Sequence, residues 1–134
     1  MRKLIALALV AVAIGACSSK TGNGGNGSLD SAQAVYTAIQ RAGIACGALQ
    51  HDTQPGIMTK ESDSCERSDG SAIYIYIPTQ STGENPDLEK SWLSMADLGG
   101  GFTVYDAQHF RWVVGVDDRA TADKIAKALG GTVR

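Results

Sequence analysis

Basic residues are scarce in this sequence, and beyond the first three positions they form no cluster. The 12 Lys and Arg side chains are outnumbered by 14 Asp and Glu side chains, which gives a formal net charge of −2. A nucleic-acid partner requires a basic patch that releases counterions from phosphates, and anionic lipid headgroups are attracted by the same kind of patch. The charge pattern therefore argues against a nucleic-acid partner and against electrostatic attachment to a membrane surface.

Catalytic and metal-ligating residues are equally sparse. The chain has two histidines, His51 and His109, each among polar residues typical of solvated loops, and no Cys-x-x-Cys pair accompanies them. No Gly-x-Ser-x-Gly turn displays a nucleophilic serine. The Gly99–Gly101 run follows a predicted helix and precedes a predicted strand, whereas phosphate-binding loops lead from a strand into a helix. We therefore predict that the protein is not an enzyme and has no catalytic residue, metal site or cofactor.

Two short groups of acidic residues have structural explanations. Asp117 and Asp118 precede a predicted helix, and N-capping accounts for them better than a calcium site, which needs more oxygen ligands at defined spacing. Glu61 and Asp63 alternate along a predicted strand and so share one of its faces. Because basic residues lie close by in the sequence, we predict that this face is exposed to solvent.

No apolar run approaches the roughly 20 residues that a membrane-spanning helix needs. The longest run, from Leu4 to Ile14, has eleven residues. It follows the basic pair Arg2-Lys3 and leads into two small residues and a cysteine. A basic start, a short apolar core and a small-residue cleavage site predict a signal peptide over residues 1–16.

The residues Ile14-Gly15-Ala16-Cys17 resemble the lipobox of bacterial lipoprotein precursors, in which an aliphatic residue and two small residues precede a cysteine. The resemblance covers residues 1–19 and departs from the commonest pattern at Ile14, where leucine is more frequent. It implies that Cys17 is lipidated and becomes the new N-terminus. The protein would then be extracytoplasmic and anchored by membrane lipid to the outer leaflet of the cell membrane or to an outer membrane, since acyl chains contribute about 0.8 kcal/mol per buried CH₂. The alternative is an ordinary secretory leader that is cleaved near Ala16.

The segment after Cys17 lacks the apolar residues that a fold needs. Ser18 to Ser28 contains four glycines and no apolar side chain, so it cannot offset its own ordering entropy. We predict that residues 17–28 form a lipidated, flexible tether and that residues 29–134 form one small domain, which resembles no characterised family.

Three cysteines are present, and the lipobox accounts for one of them. Cys46 and Cys65 remain, an even number in an oxidising compartment, so we predict that they form a disulfide. Closing a loop of about 20 residues is worth roughly 3 kcal/mol in the chain-entropy model. A redox or metal role for the pair is the alternative.

Hydrophobic periodicity and turn residues predict three helices and two β-hairpins. The first is a helix over 30–43, capped by Asp30 or Ser31, and a hairpin over 57–77 follows with a type I′ turn at Asp69-Gly70. The second helix begins at Pro86 and has Met95 in its buried stripe. A hairpin of 102–105 and 110–116 comes next, and then a final helix that is capped by Asp117 or Asp118 and ended by Gly130. The order α-β-β-α-β-β-α predicts an α+β two-layer sandwich, with an antiparallel sheet of about four strands and the helices on one face. Segment 44–56 is either a short strand or a disulfide-pinned loop.

Isoleucines and tyrosines alternate within residues 72–77, so they lie on opposite faces of the predicted strand. If the helices cover the isoleucine face, the tyrosines form an open binding surface, because tyrosine combines apolar area with a polar tip. The candidate binding surface comprises Tyr74, Tyr76 and, from the second hairpin, Tyr105. The alternative is that both faces are covered and these rings belong to the core.

These features favour a non-catalytic binding or interaction module at the cell envelope, with an envelope or phage protein as partner. A prophage-type lipoprotein that excludes related phages is a more specific alternative. An enzyme or accessory protein of the envelope is another, and it predicts that His51 or His109 lies within hydrogen-bond reach of a carboxylate in a cleft. A purely structural envelope protein would have no binding surface.

Overall fold

The computed structural model describes residues 28–56, 58–79 and 86–134, which form three helices and a six-stranded sheet. The helices are α1 (Ala32–Arg41), α2 (Pro86–Leu98) and α3 (Arg119–Leu129). The strands are β1 (Gln50–His51), β2 (Thr59–Glu66), β3 (Ala72–Pro78), β4 (Phe102–Tyr105), β5 (Val113–Val116) and β6 (Thr132–Val133). The predicted signal peptide, the predicted lipidation site at Cys17 and the tether up to residue 27 lie outside the described residues.

The sheet has the strand order β1-β2-β3-β5-β4-β6, and every neighbouring pair is antiparallel. The α+β class and the antiparallel sheet are therefore confirmed. The prediction of about four strands is wrong, because β1 and β6 extend the sheet at its two edges. Each of these strands has two residues, which is too short for an alternating pattern to show in the sequence.

Helices cover both faces of the sheet, so the prediction that they share one face is also wrong. Helices α1 and α3 pack against the isoleucine face of β3 in the larger core cluster. Helix α2 packs Trp92 and Leu93 against Val113 and Phe110, on the opposite face. The physical reason lies in β5, where Val113 and Val114 point to opposite faces and are both buried, so a two-layer arrangement would leave one of them in water.

The ends of α1 and α3 follow the predicted capping residues. The Ser31 side chain accepts a hydrogen bond from the Ala34 N–H at 3.1 Å, and the Asp118 carboxylate accepts one from the Thr121 N–H at 2.8 Å. Gly130 ends α3 in the left-handed conformation, with φ of 76°. Met95 departs from the prediction for α2: it is 51% exposed, and Leu93 lies in the buried stripe instead.

The first hairpin is confirmed, but its turn is of a different type. The Gly70 N–H donates to the Arg67 carbonyl at 3.0 Å, and Gly70 is the turn residue with a positive φ, 86°. A type I′ turn would need a positive φ at Asp69 as well. The turn is therefore a type I turn followed by a glycine bulge, and the Asp69 carboxylate accepts a hydrogen bond from the Ser71 N–H at 2.9 Å.

The second hairpin pairs β4 with β5 as predicted, although β5 begins at Val113 and not at residue 110. Phe110 lies in the connecting loop with φ of 51° and is completely buried. The left-handed backbone of Phe110 interrupts the strand pairing, because the chain turns away from the ladder at this residue.

Candidate functional site

Backbone register aligns five residues in one row across the sheet, on the same face as α2. This Tyr74 row crosses β1, β2, β3, β5 and β4 and consists of Gln50, Ser64, Tyr74, Gly115 and Thr103. Gln50 and Tyr74 are exposed, Ser64 and Gly115 are half-buried, and Thr103 is buried. The exposed part of the row therefore runs from the edge strand to the centre of the sheet.

A second row, parallel to the first, lies beneath α2. It includes Tyr76 and Tyr105, which pair with Val113 from either side. The Trp92 ring of α2 is centred 5.0 Å from the Tyr76 ring, and the Phe110 ring meets the Tyr105 ring edge-on at 6.1 Å. Burial among these groups raises the pKa of the Tyr76 phenol, and repulsion between the negative charges of ionised Tyr74 and Tyr76 raises it further.

The three tyrosines of the candidate surface thus have different surroundings. Tyr74 is 46% exposed, and its ring stacks on that of Tyr76 with the centroids 6.4 Å apart and the planes 11° from parallel. Tyr76 and Tyr105 are half-buried against α2. The apolar pair Trp92-Leu93 indicates in the sequence that one side of α2 is buried. It does not indicate which face of the sheet the helix packs against.

Gly115 leaves part of the sheet bare beside Tyr74. A Cβ atom built at this position would lie 3.8 Å from the Tyr74 Cβ, which is an ordinary van der Waals distance. Gly115 is also absent from the residues with a positive φ. Neither backbone conformation nor packing therefore requires glycine here, and a glycine inside a strand often marks a place where a ligand or another backbone approaches closely.

The opposite face of β2 carries a buried acid. Asp63 is 4% exposed, so the prediction that Glu61 and Asp63 form a solvated face is wrong for Asp63. The register puts both residues on the face that α1 covers, and the Ala32 N–H at the start of α1 donates to the Glu61 carboxylate at 3.4 Å. The basic residues near Asp63 in the sequence do not indicate that α1 packs over this face.

His51 lies beside that buried acid. Its Nδ1 atom is 2.5 Å from Oδ2 of Asp63, although no hydrogen bond of acceptable direction reaches this oxygen within the described residues. The His51 side chain is 64% exposed and the Asp63 side chain 2%. His51 is therefore within reach of a carboxylate, as an enzyme would require, but it lies on an exposed edge strand and not in a cleft. His109 is exposed in the loop after β4.

Cys46 and Cys65 lie in disulfide geometry, with their Cα atoms 5.7 Å apart. An open depression of about 500 Å³ adjoins them, formed by the loop before β1 and the end of β2. The basic residue of its wall, Arg67, already donates to Asp118 at 3.2 Å and to Thr121 at 2.9 Å. This depression therefore offers no unpaired cation to an anionic ligand.

The loop between β4 and β5 is organised by Asp106. Its buried carboxylate accepts hydrogen bonds from the N–H groups of Gln108, His109 and Arg111 and from the Arg111 side chain. Burial by itself would raise the pKa of Asp106, but these hydrogen bonds favour the ionised form more strongly and lower the pKa. Asp106 thereby fixes the loop that places Phe110 under α2.

Within residues 28–56, 58–79 and 86–134, no three His, Cys, Asp or Glu side chains are placed to hold a metal ion. In the same part of the chain, no helix has the length and apolar character to cross a membrane. Comparison of the sequence with protein-family models, and of the chain with curated proteins and with solved structures, finds no match.

Proposed function

We propose that the protein is an extracytoplasmic lipoprotein, attached to membrane lipid through Cys17, and that it acts as a non-catalytic binding module at the cell envelope. The leader sequence supports the attachment. The observation that carries the binding role is the exposed Tyr74 ring in the interior of the sheet, 46% exposed and stacked on Tyr76. A lipid anchor would hold this surface outside the cytoplasmic membrane, in contact with envelope components.

Tyr74 has the properties of a binding contact. A tyrosine ring supplies a large apolar area with few rotatable bonds, so holding it in place costs little conformational entropy. Its stack on Tyr76, which α2 holds from the other side, further restricts the ring before any partner arrives. Preorganisation of this kind favours binding because less freedom is lost on association.

Co-sedimentation tests the proposal. The full chain, solubilised in detergent, is mixed with detergent-extracted cell envelopes and centrifuged. We expect the wild-type chain to sediment with the envelopes and Tyr74→Ala to reduce its affinity by at least about tenfold, as truncation of an aromatic hot spot does. Met95→Ala is the matched control, because Met95 is similarly exposed, at 51%, but lies on α2. Equal binding by wild type and Tyr74→Ala would refute the binding role.

An envelope enzyme is the second candidate, and the contact between His51 and Asp63 is the observation that favours it. A buried carboxylate at Nδ1 can orient an imidazole so that Nε2 accepts a proton. The exposure of His51 at a sheet edge weighs against this role, because catalytic sites exclude water from the reacting groups. Hydrolysis of envelope material by the wild type, abolished in His51→Gln, would favour the enzyme over the binding module.

A further inference from the structure

We infer that the Tyr74 row is a carbohydrate-binding site, which takes an uncharged polysaccharide by stacking one sugar ring on Tyr74 with the edge of that ring over the Gly115 backbone. The inference rests on the proposed binding role and names the class of ligand. It follows from the juxtaposition of an exposed ring, a bare stretch of backbone and neutral polar side chains in one register row.

The bare backbone at Gly115 points to a ligand and not to packing. An alanine methyl would fit beside Tyr74 at an ordinary contact distance, so the surrounding protein does not exclude a side chain. Glycine weakens the interior of a strand, and β5 is an inner strand of the sheet. The missing side chain at Gly115 leaves space beside the exposed Tyr74 ring, although glycine weakens the strand. A flat ligand needs such space to approach the sheet closely.

The polar side chains of the row match the hydroxyl groups of a sugar. The Ser64 hydroxyl both donates and accepts hydrogen bonds, and the Gln50 amide does the same through separate atoms. A sugar ring presents hydroxyls around its edge and C–H groups on its faces, and the negative face of an aromatic ring attracts such C–H groups. Three strand spacings separate Gln50 from Gly115, about 14 Å at the usual strand separation, which is long enough for several linked sugars.

Charge favours a neutral polymer over an anionic one. The row contains no Asp, Glu, Lys, Arg or His side chain. The exposed carboxylate of Glu66 lies on the same face, two residues along β2 from Ser64, and would repel an anion. A protein partner fits less well, because the core of a protein interface needs several adjoining apolar groups, whereas the cross-strand neighbours of Tyr74 are serine and glycine.

Titration calorimetry with two neutral probes, N-acetylchitotetraose and cellohexaose, tests the inference on the full chain in detergent. We expect at least one probe to bind. Tyr74→Ala should weaken that binding at least tenfold, Tyr74→Phe should change it by less than threefold, and Gly115→Ala should weaken it at least threefold although the fold tolerates the methyl. Met95→Ala should bind as the wild type does. Each variant is also unfolded with denaturant, and its unfolding midpoint must equal or exceed that of the wild type. Weaker binding then cannot result from a loss of folded protein.

The outcomes separate this inference from the proposed function. If neither probe binds, or if Gly115→Ala and Tyr74→Ala bind as the wild type does, the carbohydrate site is refuted. The carbohydrate site is also refuted if the chain sediments with envelopes in a Tyr74-dependent manner but no longer does so after the envelopes are treated with protease. The binding module would then stand, with a protein as its partner. If neither probe binds and sedimentation with envelopes does not depend on Tyr74, both the carbohydrate site and the binding module are refuted.

Discussion

The packing around Gly131 leaves no room for a side chain. A Cβ atom at this position would lie 2.5 Å from Cη2 of Trp112, 3.0 Å from the Tyr105 carbonyl oxygen and 3.1 Å from a methyl of Val104. Trp112 is 2% exposed, so its ring cannot swing into solvent to relieve the contact. The neighbouring backbone of β4 and β6 is held by the sheet ladder.

Gly131→Ala should therefore destabilise the domain by about 1–3 kcal/mol, the usual cost of forcing a methyl into a packed interior. Gly115→Ala is the matched control: its methyl makes an ordinary 3.8 Å contact, and lower entropy of the unfolded chain should stabilise the protein by about 0.4–1 kcal/mol. For a domain of this size, each kcal/mol corresponds to a shift in Tm of about 4–8 °C. The two substitutions should thus have opposite signs.

Urea unfolding followed by tryptophan fluorescence measures both variants, because Trp92 and Trp112 lie in the two core clusters. The free energy of unfolding should be compared at equal m-values, since a change in m would indicate an altered denatured state. A Gly131→Ala protein with wild-type stability, or a Gly115→Ala protein destabilised by more than about 1 kcal/mol, would show that the packing described around these two glycines is incorrect.

Three further predictions concern the anchor, the disulfide and acid stability. Cys17→Ser should abolish incorporation of labelled palmitate, and a labelled variant would contradict the lipobox reading. Replacement of Cys46 and Cys65 by alanine should cost about 3 kcal/mol relative to the disulfide-bonded wild type, and the reduced wild type, as the control, should be destabilised by a similar amount; an unchanged urea midpoint in the alanine variant would argue against a stapling role. Because the folded-state pKa of Asp106 is lowered, its contribution to stability is complete above the ordinary value of 3.8 and is lost as the pH falls below it. Asp106→Asn should therefore flatten the loss of stability in acid, and an unchanged acid unfolding curve would show that its hydrogen bonds do not matter.

Local features of the sequence predicted the parts of the fold that depend on neighbouring residues. Ser31 and Asp118 cap their helices because a short polar side chain reaches the first free N–H groups wherever the helix packs. The alternation in β3 identified the isoleucine face, which α1 and α3 cover. These effects act within a few residues, so tertiary structure had little opportunity to override them.

Non-local features escaped prediction for an identifiable reason. The periodicity of α2 shows that one stripe is buried, but both faces of the sheet offer apolar residues to it, as Val113 and Val114 illustrate. Asp63 lies on the face of β2 that α1 contacts through Glu61, and the residues near Asp63 in the sequence do not determine where that helix packs. The row that joins Gln50, Tyr74 and Gly115 requires strands from distant parts of the chain to pair in one register.

The sequence by itself therefore determined the caps, the hairpins, the α+β class and the pairing of two cysteines, and it predicts an acylated Cys17. Only the tertiary structure decided which tyrosine faces solvent. Tyr74 and Tyr76 are two residues apart on one face of one strand, and nothing local distinguishes them. Helix α2 covers the second and leaves the first exposed, because the position of a helix over a sheet follows from the summed burial of the whole domain.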